Sequence, residues 1–139
     1  MREIFQVSSH KARECLDITE RVREIVRRSG VHEGLCHVMV LHATAALAIN
    51  ENADPGIGED LLDALDRSVP KRAGWRHDRI DGNAAAHIQA ALLGPSELIP
   101  VQAGDLLLGT WQGLMLLELD GPRPRRRVAV SLIPARPGH

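Results

Sequence analysis

The chain has 139 residues, enough for one domain with a single core, and a formal charge of -1 that offers no overall field to a nucleic acid or a membrane surface. With one Phe, two Trp and no Tyr, its core has to be aliphatic, and Trp75 and Trp111 stand out. Cys15 and Cys36 do not make a disulfide framework or a cysteine zinc site, no apolar run approaches a membrane span, and the charged start MREIFQVSS is not a signal peptide, so a cytoplasmic protein is expected. Residues 3–8 and 15–18 carry strand formers, with a turn over 8–11 between them. Thr19 is placed to cap a helix running to Ser29, with Gly30 just past its end. Val22, Ile25, Val26 and Ser29 make its inner stripe. Arginines 21, 23, 27 and 28 lie on its outer arc; an acidic partner could use them, but pairing with Glu20 and Glu24 at helical spacings gives the simpler solvated face.

Residues 34–41, GLCHVMVL, are apolar on both faces, as in a central strand or one with a subunit interface over one side. A small polar link, 42–46, leads to a short strand ending near Glu51. Asp54-Pro55-Gly56 forms a turn before a helix over 57–69, with Ile57, Leu61, Leu62 and Leu65 inward. Residues 71–82 show no period and read as a long functional loop. Asn83 is placed to cap a third helix to Leu93, burying Ala84, Ile88, Ala91 and Leu92, with His87 at the edge of that stripe. After a strand over 97–101 and a Gly104-Asp105 turn, LLLGTWQGLMLLELDGPR (106–123) reads as a core hairpin around Gly109–Gly113, with Trp111 in the interior. A last strand covers 127–133, and residues 135–139 are expected to be a disordered tail, which leaves 1–134 as one domain. Strands with short links and about three inserted helices indicate an α+β fold, an α/β sandwich with a mainly antiparallel sheet. No Gly-rich phosphate loop and no nucleophile elbow is present.

Of the seven histidines, His10, His32 and His139 fall in turns or the tail, and His37 lies on the strand face opposite His42. His42, His77 and His87 come from three different elements. They could converge on one ion as imidazole ligands, or serve separately in capping and hydrogen bonding. Glu51, Asp54, Asp81, Glu118 and Asp120 sit at element ends, where a general base, a magnesium ligand or plain turn chemistry would all be served. Glu118 fits turn chemistry least, because it interrupts the apolar run 114–119. Arg123 follows Gly121-Pro122, a rigid turn suited to bidentate recognition of phosphate or carboxylate. Arg125–Arg127 read as a solvated guard of an edge strand, and Gln112 as a ligand contact or the end of a turn.

Taken in order, His42-Ala43-Thr44-Ala45-Ala46-Leu47, Ile49-Asn50-Glu51-Asn52, Asp54-Pro55, Trp75-Arg76-His77, Asn83 through His87, Gly94-Pro95-Ser96, Gly109-Thr110-Trp111-Gln112 and Glu118 through Arg123 resemble the YjbQ family, described as secondary thiamine-phosphate synthases. The resemblance implies a compact α+β domain assembled as a homotrimer, with His42, His77 and His87 in one site near a subunit boundary. It implies joining a hydroxymethylpyrimidine pyrophosphate to a thiazole phosphate with release of pyrophosphate. On that basis Glu51, Glu118 and Arg123 are the catalytic candidates, and Thr44, Asn83, Gln112 and Arg123 the substrate contacts. A divalent ion, zinc or magnesium, would be held by the histidines or by Glu51 and Glu118 and would neutralise the departing charge. A metal-dependent hydrolase of unknown substrate, or a non-catalytic trimeric module binding a phosphorylated metabolite or a metal, are the alternatives; neither nucleic acid nor membrane is expected as a partner. Two departures from the family pattern are Ala43, where Thr is common, and Trp75, where Tyr is common, so no phenolic hydroxyl is available there.

Overall fold

In chain order the elements are β1 (Arg2–Val7), β2 (Glu14–Asp17), α1 (Thr19–Ser29), β3 (Gly34–Val40), β4 (Ala45–Glu51), α2 (Pro55–Ser68), a short 3-10 turn (Arg76–Arg79), α3 (Ala84–Leu93), β5 (Ser96–Gln102), β6 (Asp105–Leu106), β7 (Gln112–Glu118) and β8 (Arg126–Pro134). The structure is a computed structural model in which residues 1–136 are described, so the expectation for 137–139 lies outside the described residues. Among the described residues the strands form two antiparallel sheets, β1-β8-β3-β5-β6 and β2-β7-β4.

Alternation explains the layers. Phe5, Val7, Cys36, Val38, Val40, Ile99, Val101, Val128, Val130 and Leu132 form the inner face of the large sheet. They pack on Leu47, Leu114 and Leu116 of the small sheet and on Val22, Ile25 and Val26 of α1. The other face of the small sheet presents Ala46, Met115 and Leu117 to Ala86 and Ala90 of α3 and to half-buried leucines of α2. The small sheet is thus sandwiched, which is why β7 is apolar on both faces and buried from Gly113 to Glu118. Among the described residues no element covers the far side of the large sheet, and Ile4, Leu35, Met39, Leu98 and Ile133 on it are 37–56% exposed.

The three expected helices are present, each with a local reason for its ends. Gly30 takes a left-handed φ of 74° and closes α1. Asp17, rather than Thr19, serves the start of α1: its carboxylate accepts the Thr19 amide at 2.9 Å, while the Thr19 hydroxyl accepts the Leu114 amide at 2.8 Å and ties the helix to β7. Asp54 caps α2 by accepting the Gly56 amide at 2.8 Å, with Pro55 in the first turn. The outer arc of α1 is solvated as expected, with Arg23 on Glu20 at 3.0 Å and Arg28 on Glu3 at 3.0 Å.

Three further expectations are overturned. The stretch 106–123 is not a hairpin: β6 pairs with β5 in the large sheet, whereas β7 lies between β2 and β4 in the small one, so the chain crosses between sheets at 107–111. Trp111 rides on that crossing and is 66% exposed instead of filling the core. Helix α3 buries Ala84, Ala85, Ala86, Gln89 and Ala90 and leaves Leu92 68% exposed. The helix is apolar nearly all round, so apolarity cannot choose its face; close approach to the small sheet selects the alanines.

Candidate functional site

The site grows from a buried ion pair at the junction of β7 and β8. Glu118 ends β7 with no exposure and Arg126 opens β8 at 3% exposure. The pairing is bidentate: Arg126 Nε donates to Glu118 Oε1 at 2.9 Å, and Arg126 Nη2 donates to Oε2. The Ser9 hydroxyl donates to Oε1 at 2.6 Å and the Asp120 amide to Oε2 at 3.1 Å, so both oxygens are satisfied twice. Burial pushes the Glu118 carboxyl up, but the Arg126 guanidinium, the Ser9 hydroxyl and the Asp120 amide outweigh it and hold the group below its ordinary value. Arg126 Nη2 also donates to Thr44 Oγ1 at 2.9 Å, and the Arg123 amide donates to Ser9 Oγ at 2.8 Å. One buried pair therefore fixes Thr44 on one side and the loop 119–125 on the other.

Gly121 shows how closely that loop is pressed down. Its amide donates to the Ala12 carbonyl at 2.8 Å, and a Cβ there would collide with the Lys11 carbonyl oxygen and lie 2.8 Å from Glu118 Cγ.

Above the pair opens a cleft of about 370 Å³ lined by His42, Thr44, Asn83, His87, Asp120 and arginines 123, 125 and 126, among others. Asp120 is held from two sides, accepting Asn83 Nδ2 at 2.9 Å and Arg123 Nη2 at 3.1 Å, and Arg123 Nε donates to the Asp120 carbonyl at 2.9 Å. Asn83 spends its amide there and does not cap α3; the Ala84 amide is accepted by Asp78 Oδ1 at 3.0 Å instead. His42 Nε2 accepts the Arg127 amide at 2.8 Å, which places the proton of the neutral ring on Nδ1. Burial pulls the His42 pKa down, and Arg126, Arg127 and Arg123 pull it further against the opposing effect of Glu118. The three arginines acting on the ring outnumber the one carboxylate that opposes them.

On the other side of His87 lies a second pocket of about 460 Å³ between the 74–77 loop and the first turn of α3. His77 and His87 meet there edge to face, with ring centroids 4.7 Å apart.

The comparisons follow the same order of elements. The family model described as UPF0047 protein YjbQ-like matches residues 3–135. The chain belongs to the YjbQ family. A UPF0047 protein of Archaeoglobus fulgidus is 45% identical over 119 residues, covering 86% of this chain and 91% of its own. The UPF0047 protein YugU of Bacillus subtilis is 38% identical over 128 residues, covering 90% and 94%. Among solved structures, a YbjQ-like protein of unknown function from Sulfolobus solfataricus superposes with a TM-score of 0.93 at 38% identity, covering 97% of both chains. A hypothetical protein from Aeropyrum pernix gives 0.92 at 36% identity, covering 97% of this chain and 99% of that one.

In this YjbQ-family chain the structure gathers some of the expected site residues and separates others. His42, Thr44, Asn83, His87 and Arg123 share the cleft, and His77 joins through His87. Glu118 lies beneath the cleft as a sealed structural carboxylate, with every acceptor position engaged, and does not reach a ligand in this geometry. Glu51 and Gln112 pair with each other at the opposite end of the small sheet, about 20 Å along β4 from Ala45 by strand rise. Gln112 Oε1 there accepts the Gly109 amide at 2.8 Å and finishes a turn.

The histidines do not fit a shared three-ligand ion centre within one chain. The Nε2 lone pair of His42 is taken by the Arg127 amide, and among the described residues no three His, Cys, Asp or Glu side chains converge as ligands. The expected solvated guard of an edge strand over Arg125–Arg127 is overturned: β8 lies between β1 and β3, and Arg126 is buried while only Arg125 and Arg127 are exposed. Arg126 shares its strand face with Val128, Val130 and Leu132, an alternation that marks it as inward-facing and a partner for the misplaced Glu118.

Proposed function

We propose that the cleft binds the phosphate groups of a small metabolite and that the protein acts as a thiamine-phosphate synthase of the secondary kind, joining a hydroxymethylpyrimidine pyrophosphate to a thiazole phosphate. The observation that carries this reading is the convergence of arginines 123, 125 and 126 on the lining of one cleft. In that reaction the lone pair of the thiazole ring nitrogen forms the new bond to the pyrimidine methylene carbon, while the bond from that carbon to the pyrophosphate oxygen breaks and its electron pair leaves with pyrophosphate. Fixed cations already aimed at that oxygen lower the barrier without reorganising. Arg123, anchored by Asp120 and half exposed, supplies such a cation, and Arg125 adds to the field. The His42 Nδ1–H is a neutral hydrogen-bond donor for a phosphate oxygen. No step is assigned to a metal, because the donor set does not fit one.

A non-catalytic phosphometabolite-binding module is the second reading. It is favoured by the state of the carboxylate lining the cleft, Asp120, which is already engaged by Asn83 and Arg123 and is poorly placed as a free base. Thiamine phosphate formation from the two precursors, measured beside Arg123→Ala and a protein-free control, separates them. Product that depends on Arg123 supports the synthase; no product above the control removes it, and phosphate binding without product leaves the module.

The uncovered apolar face of the large sheet, where Leu35 lies opposite Ile133 and Leu98 opposite His37 with Met39 on the same face, supports self-association, and the YjbQ resemblance makes a homotrimer of a cytoplasmic protein the form we propose. Light scattering is expected to give three times the 15.2 kDa chain mass, and Leu98→Lys to reduce it. A monomer at micromolar concentration refutes the trimer.

A further inference from the structure

We propose that Arg13 and Gln89, which lie outside the lining of the cleft, are positioning residues that set the gap between its two walls. One wall carries Asn83 and His87 on α3 and the other carries Asp120 and Arg123 on the loop after β7. The inference rests on the anion reading of the cleft and names what holds its donors in place. At the cleft the two walls are joined by one hydrogen bond, from Asn83 Nδ2 to Asp120 Oδ2 at 2.9 Å. On the other side of that bond is a smaller cavity of about 170 Å³, lined by the same Asn83 and Asp120 together with Ala85, Ala86, Leu119 and Gly121, among others. A single hydrogen bond with a cavity on either side is a weak spacer.

The second tie is buried. Gln89 of α3 has no exposure. Its Oε1 accepts Arg13 Nη2 at 2.8 Å, and its Nε2 shares two protons among the Val69 carbonyl at 3.0 Å, the Leu65 carbonyl at 3.2 Å and Asp66 Oδ1 at 3.2 Å. The Arg13 side chain, 13% exposed, pairs through the same Nη2 with Asp66 of α2 at 3.1 Å, and its Nη1 donates to the Leu119 carbonyl at 3.4 Å. Next to it, the Ala12 carbonyl accepts the Gly121 amide at 2.8 Å. Residues 12 and 13 therefore grip the loop immediately before and immediately after Asp120. Gln89 lies six residues beyond Asn83, about 9 Å along the helix, whereas Leu119 and Asp120 are consecutive, with Cα atoms about 3.8 Å apart. Two ties that start far apart on α3 and end together on the loop make a triangular brace, which fixes both the distance and the tilt of one wall against the other. Arg126 holds the same loop from beneath through Glu118, and Arg13 holds it against the helix.

The test is calorimetric titration with inorganic phosphate, at a temperature where circular dichroism shows each variant folded. Asp66→Asn is decisive, because Asp66 is 40% exposed on α2 and outside the cleft lining, so its replacement leaves the core intact. Loss of a negative charge tightens anion binding if only the field matters, whereas loosening Arg13 weakens it. Weakening by about threefold is expected, and unchanged or tighter binding overturns the brace. Arg13→Met should weaken phosphate by about tenfold, and Arg13→Lys should recover little of this, since an ammonium restores the charge without the fork. Full recovery by lysine reduces Arg13 to a distant charge and sinks the proposal. The side-chain amide protons of Asn83, read by NMR without ligand, report the tie to Asp120 directly. They should move toward the position of a free amide in Asp66→Asn and Arg13→Met, a shift that mere loss of global stability would not produce in folded protein; resonances that stay in place refute the brace. Failure of phosphate to bind the parent protein overturns the anion reading instead, and the Asn83 resonances then decide the brace by themselves.

Discussion

Replacing Glu118 by Gln removes one charge and almost no volume from a site with no exposure. The substitution leaves the Arg126 guanidinium, 3% exposed, without its counter-charge, and turns an amide NH2 toward a shell made only of donors: Arg126 Nε and Nη2, Ser9 Oγ and the Asp120 amide. Breaking a buried pair from one side costs about 3–5 kcal/mol, because the remaining charge keeps its desolvation penalty and loses its partner. For a chain of this size that corresponds to a fall in melting temperature of about 10–20 °C. Denaturant titration and calorimetry of Glu118→Gln provide the measurement. The double variant Glu118→Leu with Arg126→Met should recover most of the loss, since it removes both buried charges together. It should still bind phosphate poorly, because Thr44 and the Asp120 amide lose the partners that position the cleft. A Glu118→Gln cost under about 1 kcal/mol would refute the reasoning, since ordinary surface substitutions fall in that range. The pH dependence has a definite sign. The folded carboxyl lies below its ordinary 4.5, so its contribution is fully present above that value and drains away as pH falls through the lower, folded one.

The His42 imidazole should titrate below its ordinary 6.5 by proton NMR, and its neutral form should favour the folded state above 6.5 with a loss as pH falls; a midpoint above 6.5 contradicts the positive cleft. Gly121→Ala forces a Cβ against the Lys11 carbonyl, should destabilise by about 1–3 kcal/mol, and should weaken phosphate binding by moving Arg123; unchanged stability and binding would show that the loop is not pressed down. Burial pushes the Cys36 thiol up to about 11, and the residue has no exposure, so iodoacetamide at pH 8 should alkylate it only after unfolding; rapid labelling of native protein contradicts this.

The fold was readable wherever period and punctuation agreed. Thr19–Ser29 carries a clean amphipathic stripe and a terminal glycine, and the helix has those bounds. The two-sided apolar run 34–41 and the strand formers of 127–133 placed two neighbouring strands, although nothing local specified that they pair with each other. The failures share a cause. The run 106–123 has the local signs of a hairpin, and local signs cannot report that its halves join different sheets, because that choice is made by partners some hundred residues away in β2 and about sixty to seventy in β4. Helix α3 is nearly all apolar and gives no angular signal. In the site, Arg123 and the cleft histidines were visible as unusual residues at element ends. The role of Glu118 was not, because a carboxylate in an apolar run looks the same whether it faces a ligand or a buried arginine. Only the inward phase of Arg126 distinguishes the two.

The strand order bears on how the molecule is built. Strands β7 and β8 are both interior, and they are the last two made. Before residue 112 is added, only β5 and β6 have all their sheet partners; β3 has β5 but waits for β8 on its other edge, β1 waits for β8, and β2 and β4 wait for β7. A growing chain therefore carries three unpaired strands and one half-paired strand through most of its synthesis, a condition that favours pairing with other chains. Closure of Arg2 onto Ser131 spans nearly the full sequence, so the entropy of that loop is lost before its contacts form. Conditions that slow the addition of the final strands should therefore raise aggregation more than they lower the stability of the finished protein.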